Sequence, residues 1–141
     1  EARAIAPAHA AQVAALAAHA PRPLCVLSSG ESTVHVTRTG RGGRNQELAL
    51  ALASFLAGVG TAVAAASVGT DGVDGPTDAA GAFVDTTTLT RAREKGLAPE
   101  RYLADNNSYE FFRALDDLIT TGPTNTNVGD VQIVLIDGLK P

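Results

Sequence analysis

From Leu48 to Thr70 the sequence LALALASFLAGVGTAVAAASVGT carries no charged side chain. A stretch of this length is long enough to cross a bilayer. Its commonest residue is alanine, however, which inserts weakly, and Gly58-Val-Gly60 interrupts it in the middle. A buried helix, a turn and a buried strand suit the pattern better than one span. The helix is expected from about Asn45 to Ala57, with Leu48, Leu52, Phe55 and Leu56 as its main stripe. Leu50 and the alanines make it apolar nearly all round, so it needs cover on both sides. The strand is expected from Thr61 to Val68.

The other segments alternate in the same way. Pro7 to Ala20 reads as a helix with Pro7 in its first turn, ended by Pro21-Arg-Pro23. Leu24 to Ser28 is a short apolar strand, Ser29-Gly-Glu31 a tight turn, and Ser32 to Arg38 alternates like a half-exposed strand. Together they read as a β-hairpin. Ala82 to Asp85 is a strand, and Thr87 to Lys95 a helix closed by Gly96. Asn107 opens a helix carrying Phe111, Phe112, Leu115 and Leu118, and Val131 to Ile136 is a last buried strand. This order implies an α/β fold: a single layered domain, residues 1–141, with a mixed β-sheet flanked by helices. Residues 1–23 form an entry helix and connector, and 24–136 the core.

With 141 residues, 45 % of them hydrophobic and 18 % charged, the chain can bury a core of its own. The net charge of −4 gives no general attraction to nucleic acid or to an anionic membrane. Cys25 is the only cysteine, so an internal disulfide is excluded and a reducing, cytoplasmic setting is expected. In the apolar run Leu24 to Leu27 it reads as a small buried hydrophobe. The chain starts at Glu1 and has no methionine, as a piece of a longer protein would.

Four polar, glycine-rich segments stand at strand ends: Ser28 to Glu31, Gly40 to Asn45, Gly69 to Gly81 and Gly122 to Asn127. Ligands of open α/β sheets bind at such ends, so the four are expected to meet at one edge. In GRGGRNQELAL, Gly40 to Leu50, two arginines and three glycines precede the apolar helix. A helix start offers unpaired N–H groups and a positive dipole end, and an arginine adds a forked donor. The segment reads either as an anion site or as a solvated turn. It is neither a phosphate-binding loop nor a dinucleotide fingerprint. In GTDGVDGPTD, Asp71, Asp74 and Asp78 could hold Mg2+ or orient a hydroxyl, or they are plain turn residues.

The motifs LSSGES, GRGGRNQELALA, GTDGVDGPTDAAGA, YLADNNSYEFF and TGPTNTNV, taken in order, resemble the C-terminal MOFRL domain of the glycerate 2-kinase family, which is also labelled hydroxypyruvate reductase. The resemblance covers about Leu24 to Ile136. It implies an N-terminal Rossmann-like domain of the same polypeptide as partner, with the active site in the cleft between the two. It implies transfer of the γ-phosphoryl of ATP, with Mg2+, to the 2-hydroxyl of D-glycerate, helped by a lysine from the other domain. The arginine facing the cleft would be Arg44, and Asp71 and Asp74 are the candidates for metal or hydroxyl orientation. Ser28, Ser29, Gly42, Gly43, Asn45, Thr70 and Thr124 are candidates for substrate or phosphate binding. The isolated chain is expected to be inactive, and a homo-oligomer is compatible with the reading. The alternatives are an NAD(P)H-dependent hydroxypyruvate reductase and a non-catalytic, stand-alone binding module.

Overall fold

The apolar helix has the cover its sequence demands. In the computed structural model, which describes residues 1–137, it is α2, Arg44–Leu56. Ten of its residues, Asn45 to Ala53 and Leu56, are buried. Strands β2 (Val63–Gly69) and β3 (Gly81–Asp85) lie against one side, and α1 (Ala2–His19) and α5 (Ser108–Leu115) against others. The short helices α3 (Thr88–Glu94) and α4 (Pro99–Ala104) also touch α2. Among the described residues no helix is long and apolar enough to cross a membrane.

The sheet is completed by β1 (Leu24–Gly30), β4 (Leu118–Ile119) and β5 (Asp130–Ile136), in the order β1-β5-β2-β3-β4. Period-two alternation gives it one inner face. Val63, Ala65 and Ser67 of β2 are buried, and their register partners Ile136, Val134 and Gln132 of β5 are buried beside them. Ala82 and Val84 continue that face on β3. Leu27, Phe83 and Leu135 stand exposed on the opposite face. Phe111 and Phe112 anchor α5 beneath α2 and are fully buried.

The α/β class and the layered domain hold, and every strand pairing is antiparallel. The antiparallel partner of β1 is β5, however, and not the segment that follows it. No hairpin forms, because other groups take up the backbone of residues 33–37. The Thr33 carbonyl accepts from Ala2 N–H (2.7 Å). Thr37 N–H donates to Asn106 Oδ1 (2.9 Å), and Asn106 Nδ2 donates to the His35 carbonyl (3.3 Å). Asn106 is itself held by buried Glu47 of α2 (3.0 Å), which also pairs with Arg3 of α1 (2.9 Å). Helix α1 begins at Ala2, so Pro7 lies inside it and not in its first turn. Cys25 is exposed on the outer face, not buried.

Candidate functional site

The four glycine-rich segments meet at one end of the sheet. Gly30 ends β1, Asp130 begins β5 and Gly69 ends β2, and the register sets the three side by side. The loops are tied together there. Thr70 donates from N–H and Oγ1 to the Gly129 carbonyl (3.1 and 2.7 Å), and its Oγ1 accepts from Val128 N–H (2.9 Å). Thr124 N–H donates to the Asp71 carbonyl (3.1 Å), and Thr124 Oγ1 donates to the Thr70 carbonyl.

The start of α2 reaches the same place, and its anion comes from within the chain. Asp74 lies beneath it, fully buried. Its Oδ1 accepts from Asn45 N–H (3.0 Å) and Asn45 Nδ2 (3.3 Å), and its Oδ2 from Gln46 N–H (2.8 Å). A carboxylate from a distant loop therefore does what an N-cap side chain normally does. The N-cap residue itself is Gly43, and a Cβ there would meet Asp74 Cγ at 2.3 Å. Glycine lets this carboxylate approach. Burial pushes the Asp74 carboxyl above its ordinary pKa, against the hydrogen bonds from Asn45 and Gln46 and the Arg44 charge, which favour the ionised form.

Arg44 has a second internal anion. Its Nε and Nη2 donate to Asp130 Oδ2 (2.6 Å) and Oδ1 (2.8 Å), a two-pronged pair along one side of the guanidinium. The Asp130 side chain is 1 % exposed and that of Arg44 28 %. The bond to Asp130 holds Arg44 above its ordinary pKa against partial desolvation, and the charges of Asp130, Asp74 and Glu31 add to it. Among the described residues Nη1 makes no hydrogen bond, so the outer edge of the fork is unused.

The remaining expected residues divide. Asn45 and Asp74 are internal: Asn45 Oδ1 accepts from Ser67 Oγ (2.6 Å) while its Nδ2 serves Asp74, so neither side chain opens on the loops. Gly42 makes room for Ser108, whose Oγ would lie 2.2 Å from an added Cβ. Thr70 and Thr124 hold the loops together. Ser28 Oγ donates to Gln132 Oε1 (3.3 Å), and Ser29 is exposed. Asp71 is half-buried, and its Oδ1 accepts from Val73 N–H (3.1 Å). Arg41 points elsewhere: its guanidinium covers the Tyr109 ring at 4.4 Å, and Tyr109 Oη donates to Asp78 (2.7 Å). Among the described residues no group of three or more His, Cys, Asp or Glu side chains could hold a metal ion. With Asp74 enclosed, these residues do not fit a Mg2+ site by themselves. Sequence reasoning missed Asp130; its only local mark is its place directly before the apolar run Val131 to Ile136.

A model of the MOFRL family matches residues 24–130. The D-glycerate 2-kinase of Thermotoga maritima is 48 % identical over 115 residues, which cover 82 % of this chain and 27 % of that protein. The human glycerate kinase is 44 % identical over 120 residues, covering 81 % and 23 %. The crystal structure of the Thermotoga maritima glycerate kinase superposes with a TM-score of 0.90 at 43 % identity, over 96 % of this chain and 33 % of that one. The chain thus spans about a quarter to a third of the length of these relatives.

Proposed function

This chain belongs to the MOFRL family, and we propose that it forms one wall of the active-site cleft of an ATP-dependent glycerate 2-kinase. The other wall would be an N-terminal Rossmann-like domain of the same polypeptide, working in the cytoplasm. The relatives named glycerate kinase support this, as does their greater length. The observation that carries it is the Arg44 guanidinium. It stands where the loops meet, with one side held by Asp130 and its outer edge unused.

In this reading the outer edge of Arg44 receives an anionic oxygen of the substrate or of the transferring phosphoryl group. Phosphoryl transfer relies on positioning and charge neutralisation more than on covalent help from the protein. ATP supplies the γ-phosphoryl, and the 2-hydroxyl oxygen of D-glycerate replaces the ADP oxygen on phosphorus. Asp71, half-buried in the loop after β2, orients that hydroxyl and takes its proton. The opposing lysine belongs to the other domain. Mg2+ is not assigned to residues of this chain.

The test joins this chain to the N-terminal half and measures ATP-dependent phosphorylation of D-glycerate beside NAD(P)H consumption with hydroxypyruvate. Phosphorylation is expected, and the chain alone should be inactive. Arg44→Lys keeps a cation beside Asp130 but loses the planar fork. Turnover should fall on the order of 10²-fold, as when a transition-state donor is removed. Turnover by Arg44→Lys at the wild-type rate, or NAD(P)H consumption without phosphorylation, refutes the reading.

A further inference from the structure

Resting on that reading, we infer that Asp130 is the positioning residue for Arg44: it fixes which edge of the guanidinium faces the loop cluster. Arginine has a long, flexible stem, and an unheld fork would sample many orientations. Here both ends of the side chain are fixed. Its backbone lies in the first turn of α2, which Asp74 secures through Asn45 and Gln46. Its head is gripped along the Nε–Nη2 side by Asp130. Asp130 in turn cannot drift. It is the first residue of β5, almost wholly buried, and paired on both sides by β1 and β2.

The neighbours of Asp130 in its row are both glycines, Gly30 and Gly69. No side chain beside it competes for the guanidinium. On the Gly30 side an added Cβ would meet nothing within 4 Å, so the space there is open. A side-on grip leaves Nη1 and the outer N–H of Nη2, two parallel donors, for an incoming oxyanion. Preorganised donors of this kind stabilise developing charge without reorganising as the reaction proceeds.

The experiment is a kinetic cycle in the polypeptide that joins this chain to the N-terminal half, with Asp130→Asn, Arg44→Ala and the double variant. Asp130→Asn keeps the shape and removes the charge. Its kcat should fall about 10- to 100-fold, the usual loss when the partner that orients a metal-binding side chain is removed. KM for D-glycerate should change less. In the Arg44→Ala background, Asp130→Asn should lower kcat by less than about 3-fold, since no fork is left to orient. Guanidinium ion should restore part of the activity of Arg44→Ala and none of the double variant's. A merely structural pair would not produce that difference.

Melting temperatures separate the remaining outcomes. Arg44→Ala leaves a buried carboxylate without its partner and should melt well below wild type. The double variant should recover much of the loss and stay inactive. If Asp130→Asn turns over like wild type while Arg44→Ala does not, the positioning role is refuted and the anion reading of Arg44 stands. If the two losses multiply, or guanidinium rescues both backgrounds equally, Asp130 acts independently of Arg44 and the inference fails. If Arg44→Ala retains wild-type turnover, the anion reading falls and the inference with it.

Discussion

Removing the Asp74 carboxylate should show how much the internal anion contributes. Asp74→Ala deletes the acceptors of Asn45 N–H, Gln46 N–H and Asn45 Nδ2. Asn45 and Gln46 are 1 % and 0 % exposed, so water does not reach the freed donors. Leaving one buried donor unsatisfied costs about 1–3 kcal/mol, so the two backbone groups together cost about 2–6 kcal/mol. Relief from burying a charge offsets part of this, and a net loss of about 3 kcal/mol is expected. With an unfolding entropy of about 2.1 cal/mol/K per residue over this chain, that lowers Tm by about 10 °C. Asp74→Asn keeps one acceptor and should lose about half as much.

The pH dependence follows from the raised pKa of Asp74. Between the unfolded value of 3.8 and the higher folded one, the folded state binds more protons, so stability falls as pH rises through that window. Relative to Asp74→Asn, which does not titrate there, wild type should therefore gain on acidification. Differential scanning calorimetry of the three proteins at pH 7 and at several lower values tests both parts. An Asp74→Ala protein melting within about 2 °C of wild type would refute the capping argument, since such a shift corresponds to well under 1 kcal/mol. A wild-type advantage that narrows on acidification would refute the assigned pKa direction.

Gly43→Ala drives a methyl into Asp74 and should cost about 1–3 kcal/mol; combined with Asp74→Ala in urea unfolding, its cost should shrink. Arg41→Ala loses the stacking on Tyr109, about 0.5–1 kcal/mol, and a long, exposed ion pair with Glu110 (3.9 Å), and should leave glycerate phosphorylation unchanged, unlike changes at Arg44. Burial pulls the Asp85 carboxyl up, but hydrogen bonds from Thr87, the Arg91 charge and a bond from Thr88 outweigh it and hold it below its ordinary value. Its stabilising contribution is present above the unfolded value of 3.8 and is lost as pH falls through the folded one, so Asp85→Asn should flatten the melting curve below about pH 4.

Local patterns revealed the elements whose causes are local. The apolar run from Leu48 marked α2 and β2, and the run from Val131 marked β5 to within a residue. Strand-end placement also located the loop cluster. The failures concern long-range partners. Val34 and Val36 alternate like a strand, yet Asn106 claims the backbone beside them, and nothing in residues 32–38 announces Asn106. The junction at Gly40 to Asn45 reads as a site for an external anion, and the anions the structure shows there are carboxylates of the chain itself. The junction's spacing could not show that the chain supplies two of its own, Asp74 and Asp130, from different loops. Two glycines read as room for a ligand are room for Asp74 and Ser108 instead.

The strand order has a consequence for synthesis. Strand β5 is the last of the described strands to be made, yet it is the only one that joins β1 to the rest of the sheet. While the chain grows, β1 has no partner, and β2 exposes the edge that β5 will cover. At about 5–20 residues per second, that edge stays unpaired for seconds before Asp130 to Ile136 emerges. The grip on Arg44 arrives with the same strand. The sheet is thus closed and the arginine fixed in one late event, and a nascent chain stopped short of Asp130 has neither.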